Sequence, residues 1–191
     1  AAAYVKPSAA DIEAEAIEVA ARPITSFSRV TSDTRFGKLE FRGGLVLTSS
    51  SRNFGGWSGL LLDDTGRNLV AVSDAGAWMT ARIEYDSLRR PIAIENARLG
   101  SLKALSSKSL RKNRDRDAEA LALESGRVDK GQVLVAFEGN HRIGRFRVDG
   151  SGLSKPLGYL TMPSELKGSR KRDGLEALTV VRGGRSKGAL V

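Results

Sequence analysis

The chain has 191 residues, 40% hydrophobic and 28% charged, with net charge +9, one histidine and no cysteine. Disulfides and thiolate-bound zinc are therefore excluded, as is any metal centre needing two histidines, and no apolar run approaches the ~18–20 residues of a membrane span. The basic balance favours polyanionic partners (nucleic acid, acidic lipid or phosphorylated small molecules), or serves only solubility.

Residues 1–24 are rich in Ala and Glu. Ser8 with Asp11 resembles a capping box for a helix running to Ala21, yet Ile17-Glu18-Val19 alternates like a strand. Both readings stay open, and the segment is treated as an N-terminal arm or closing segment. From Ile24 to Ser51 strand signals dominate, with Phe27, Val30, Phe36, Leu39 and Phe41 ahead of Leu45-Val46-Leu47-Thr48. Gly37 and Gly43-Gly44 mark turns.

The next stretch is repeated. Leu69-Val70-Ala71-Val72-Ser73-Asp74 is a short apolar strand ending on an acid, followed by a Gly turn and an alternating strand through Arg82 to Asp86. Val133-Leu134-Val135-Ala136-Phe137-Glu138 repeats the order, with Gly139-Asn140 and a strand through Arg145 and Arg147 to Asp149. Ser58-Gly59-Leu60, Glu119-Ala120-Leu121 and Glu176-Ala177-Leu178 set the phase, a period of about sixty residues. Strand-only repeats predict an all-β fold, a β-propeller with blades of about sixty residues. Residues 25–191 supply two units and the start of a third, so only part of a propeller is expected here, truncated at the C-terminus. Ser101 to Arg116, dense in Lys and Arg, reads as an exposed loop. It lacks the interleaved aromatics of a nucleic-acid platform.

Candidate chemistry sits at the blade phase. Arg114-Asp115-Arg116-Asp117-Ala118-Glu119 and Arg170-Lys171-Arg172-Asp173-Gly174-Leu175-Glu176 each run basic residues into two acids. In a propeller such positions converge on the central channel. Asp117, Glu119, Glu138, Asp173 and Glu176 would offer the oxygen ligands that Ca²⁺ prefers. Arg116, Lys171 and Arg172 would meet the anionic group of a small-molecule substrate. Glu119 and Glu176 could instead lock neighbouring blades through backbone amides. Asp74 and Glu138 could cap the Gly turns that follow them.

His141 is a candidate general acid or phosphate contact beside Glu138, or a solvated loop residue. Ser58 lacks the second glycine of a nucleophile elbow, which leaves it a structural or metal-adjacent place. Trp57 and Trp78 read as blade-packing aromatics.

These residues together resemble the phytase-like β-propeller family described as having "esterase-like activity of phytase". The resemblance rests on Trp57-Ser58-Gly59-Leu60, the Leu69-to-Gly76 strand, Asp117-Ala118-Glu119-Ala120-Leu121, Phe137-Glu138-Gly139, and Asp173-Gly174-Leu175-Glu176-Ala177-Leu178, and covers roughly residues 25–191. It implies a propeller, hydrolysis of phosphate or other esters, and export by a bacterium, but no catalytic set; Glu119, Glu176 and His141 are catalytic candidates from residue type and repeat position alone. The absence of cysteine and the small-residue start Ala1-Ala2-Ala3 agree with a periplasmic or secreted location. A non-catalytic propeller that binds a ligand or protein partner is the alternative. The sequence gives no oligomeric state.

Overall fold

The computed structural model describes residues 12–164, 174–183 and 187–190. It is built almost wholly of antiparallel strands. Short apolar runs broken by Gly and Asp turns are too short for helices and match strand length instead. Among the described residues of the N-terminal segment two short strands form, and Ile17-Glu18-Val19, which alternates like a strand, is the link between them and belongs to neither. β1 (Glu15–Ala16) pairs with Leu99 and Arg98, and β2 (Ala20–Ile24) pairs with β5 (Gly44–Thr48). The helix reading of this segment is thereby replaced wherever it is described; Ser8 and Asp11 lie outside the described residues. A tight hairpin, β3 (Arg35–Phe36) and β4 (Leu39–Glu40), gathers Phe27, Phe36 and Phe41, with ring centroids 4.9 and 5.7 Å from Phe27.

The first repeat is a four-stranded meander: β6 (Trp57–Leu62), β7 (Asn68–Ser73), β8 (Ala77–Tyr85) and β9 (Pro91–Ser101), with β1 added outside β9. After a linker that ends in one helical turn, α1 (Asn113–Arg116), the second repeat follows the same plan. Its strands are β10 (Ala118–Arg127), β11 (Lys130–Phe137), β12 (Arg142–Asp149) and β13 (Gly152–Tyr159). The stretch read as an exposed loop is exposed only at 105–108 and 111–114; Ser101 ends β9, Leu102 is buried, Lys103 bridges to Ser109, and α1 closes it. The third unit contributes β14 (Thr179–Val181) paired with β15 (Gly188–Leu190), and β14 packs against β10.

The two meanders stand face to face as blades, with inner strands β6 and β10 side by side. A Cβ placed on Gly59 of β6 would lie 3.3 Å from both Ala120 and Leu121 of β10, so the repeats are in phase and equivalent turns fall at the same end. Alternation within each strand supplies one apolar set per face. Val70 and Val72 point into the space between the blades, where Val133, Val135, Phe137, Phe146 and Trp78 close the main core. Leu134 and Ala136 point the other way and are covered by Leu175, Leu178 and Val180 of the third unit. Trp78 is 2% exposed. Its ring spans the blades so closely that a Cβ on Gly152 of β13 would sit 1.9 Å from it. Trp78 is thus the blade-packing aromatic expected. Trp57 packs with Phe54 on the opposite face of the first blade.

This arrangement is a partial β-propeller: consecutive four-stranded antiparallel blades with inner strands adjacent.

Candidate functional site

The turns at one end of the blades bring the repeated acids together. Asp117 closes α1, Glu119 is the second residue of β10, and Glu138 begins the β11–β12 turn. The amide of Glu138 donates to the Asp117 carbonyl at 2.8 Å, which fixes the two turns to each other. One carboxylate oxygen from each of Asp117, Glu119 and Glu138 lies within 4.8 Å of the others, and all three residues are half-buried. Glu176, exposed, adds its charge to Glu119 and Glu138.

Close packing holds the arrangement. Gly174 is pressed onto Glu138; a Cβ there would fall 1.7 Å from the Glu138 Cγ. The Ser58 hydroxyl bonds the Glu119 carboxylate, so the first blade's counterpart of Glu119 reaches across to it. Ser58 thus stands beside the acids, in the structural or metal-adjacent place expected of it.

Crowding of like charges has its ordinary consequence. Burial raises the Glu119 pKa against the Ser58 bond, with Asp117, Glu176 and Glu138 adding to the rise. Burial also raises Glu138, helped by Glu176 and Asp117 and opposed by His141. A divalent cation would remove that strain. Oxygen-to-Ca²⁺ distances are about 2.3–2.6 Å, so two ligands of one ion can be about 5 Å apart. The 4.8 Å separation and the all-oxygen donor set fit a hard cation.

His141 is half-buried in the same turn and close enough to Glu138 to act on its charge. Arg116 crosses Gly76 with its stem, and its guanidinium bonds the Asn113 side chain. Lys171, Arg172 and Asp173 lie outside the described residues. Asp74, the counterpart of Glu138, is not the turn cap expected of it. The fully buried Ser73 hydroxyl accepts the Ala77 amide at 3.1 Å instead, and Asp74 Oδ1 has no hydrogen-bond partner among the described residues.

Arg142 was missed as a functional residue. Phe137 and Arg142 are opposite each other across the β11–β12 hairpin, and the guanidinium sits 3.9 Å from the Phe137 ring centroid. It also donates to the Asp115 carbonyl and, at 2.9 Å, to the Asn140 carbonyl. Arg142 thereby ties α1, and Asp117 behind it, to the turn carrying Glu138. The signal was available as an Arg facing a Phe across a four-residue turn.

The fold and the acid cluster define a propeller with a carboxylate-lined end. A family model for phytase-like proteins, described as esterase-like activity of phytase, matches residues 52–191. The chain belongs to that family. No curated protein and no solved structure matches it significantly. Among the described residues, no helix is long and apolar enough to cross a membrane.

Proposed function

We propose that this chain belongs to an exported phytase-like hydrolase acting on phosphomonoesters or related esters, with Ca²⁺ held by Asp117, Glu119 and Glu138. The observation that carries the reading is the meeting of three carboxylates at the repeat phase, within 4.8 Å, in a phytase-like chain. Asp173 and Glu176 follow the same motif and are the further acids proposed for the site. Bound there, Ca²⁺ would neutralise charge on the ester oxygens and acidify a water. Arg116, Lys171 and Arg172 are assigned to the anionic group, for which guanidinium forks are suited. His141, which interacts with Glu138, is assigned to holding and moving a proton, while Glu119 and Glu176 position the water. A cysteine-free chain accords with a periplasmic or secreted location.

A second reading has its own support. Four clefts among the described residues have walls that include none of Asp117, Glu119 and Glu138. A non-catalytic propeller that binds a ligand or protein would need no substrate pocket at the acids. Phosphate release from phytate, measured with Ca²⁺ and then with a chelator, separates the two. Calcium-dependent release supports the hydrolase; no release under either condition, from phytate or from simple phosphate and carboxylate esters, leaves the binding propeller.

A further inference from the structure

The opposite end of the first blade carries a different chemistry. The β6–β7 turn, the β8–β9 turn and the segment between β4 and β5 surround a cleft of about 380 Å³. It is lined by Arg42, Thr65, Arg67, Tyr85, Asp86 and Arg89, three guanidinium groups from three separate segments. Strand direction places it away from the acids. β7 starts beside this cleft at Asn68 and runs to Ser73 and Asp74, the end equivalent to Glu138.

Neighbouring acids engage one guanidinium nitrogen each of Arg42 and Arg67 and leave the other nitrogens of their forks. Glu40 pairs with Arg42 at 3.3 Å, and Glu84 is shared between Arg67 at 3.0 Å and Arg82 at 2.8 Å. Asp86, the one acid in the lining, is taken by Arg90 at 2.8 Å and by the amides of Leu88 and Arg90. Arg89 has no ion pair or hydrogen bond through its side chain among the described residues. The Asp86 turn also holds Arg89 at φ +59°, a left-handed conformation in which a long side chain is uncommon. Arg67 lies 5.8 Å from the Tyr85 ring centroid, and the Tyr85 hydroxyl donates to the Gly66 carbonyl at 2.7 Å, so that wall is fixed.

We propose that this cleft binds a small, multiply charged oxyanion, a compound carrying two or more phosphate or carboxylate groups. A fork of N–H donors matches either group bidentately. Three forks from three directions suit a ligand with several anionic groups rather than one. The site is independent of the calcium reading, since it shares no residue with the acid cluster and needs no metal.

The test is calorimetric titration of the full chain, freed of metal by a chelating resin, at low salt. Inorganic pyrophosphate is one probe and citrate the other. One-to-one binding of either is expected, with the tighter probe naming the preferred group. Arg89→Gln and Arg67→Gln should each weaken it at least ~10-fold. Arg89 is exposed, so its variant keeps the experiment valid should Arg67→Gln fail to fold. Arg127→Gln, at a paired surface arginine of the second blade, should leave binding unchanged. Absence of binding by both probes overturns the proposal. So does an equal loss in Arg127→Gln, which would mark general charge attraction.

Discussion

Glu119→Gln should raise stability and remove calcium binding at once. The substitution keeps the shape and the acceptor for Ser58 but deletes one charge from a cluster whose oxygens lie within 4.8 Å. At that distance two unit charges repel by about 1 kcal/mol in water and by about 3–4 kcal/mol at an effective dielectric near 20. Glu119 is half-exposed, so the lower end applies. Relief from Asp117 and Glu138 together then comes to about 1–2 kcal/mol. For a chain of this length that is a rise in Tm of roughly 2–8 °C without metal. The parent chain at a Ca²⁺ concentration ~100 times Kd should gain about 2.7 kcal/mol, or roughly 5–10 °C, and the variant should gain almost none. Thermal melting followed by circular dichroism, with and without Ca²⁺ and with the exposed Glu13→Gln as control, reads both effects. A variant that melts lower than the parent without metal and still shows the full calcium shift would refute both the repulsion and the ligand assignment.

The same crowding sets a pH dependence. Glu119 and Glu138 have raised pKa values, so the folded chain binds more protons than the unfolded one above the ordinary glutamate range. Without metal, their contribution to stability should improve as pH falls from 7 toward 5, while Ca²⁺ affinity should weaken over that interval; flat melting and affinity curves would contradict this. Asp63 and Asp149 have lowered values, so the stability they add should be lost only in stronger acid, below their unfolded pKa. Gly174→Ala should push Glu138 out of the cluster and cost calcium affinity about tenfold or more, checked by titration calorimetry against an unchanged far-ultraviolet spectrum. Gly152→Ala drives a methyl into the Trp78 ring at a position with φ +116°, and should destabilise by about 3 kcal/mol or more in urea unfolding; a loss below about 1 kcal/mol would mean the blades are not docked through Trp78. Arg142→Lys keeps the charge but loses the fork, and should lower calcium affinity several-fold, a result that an unchanged affinity would rule out.

The repeat was legible because a strand's side-chain period is two and each blade is one self-contained meander. Leu69–Asp74 and Val133–Glu138 look alike in sequence since both must present one apolar set to each neighbouring blade. From that phase Asp117, Glu119, Glu138, Asp173 and Glu176 were grouped; the structure brings oxygens of Asp117, Glu119 and Glu138 within 4.8 Å of one another, and Asp173 lies outside the described residues. Residues 1–24 were ambiguous for a local reason. Short Ala- and Glu-rich runs suit either helix or strand, and only pairing to Leu99 and to β5 decides between them. Asp74 was misread because the Ala77 amide donates to the hydroxyl of its neighbour Ser73, a choice made by backbone geometry and not by residue type.

Local sequence thus determined the strands, the blade period and the kind of residue at each blade end, since these depend on neighbours two to six positions away. Tertiary structure decided which turns touch. The Arg142 clamp, the Gly174 contact and the arginine cleft all join segments distant in the chain, and such meetings depend on how whole blades pack.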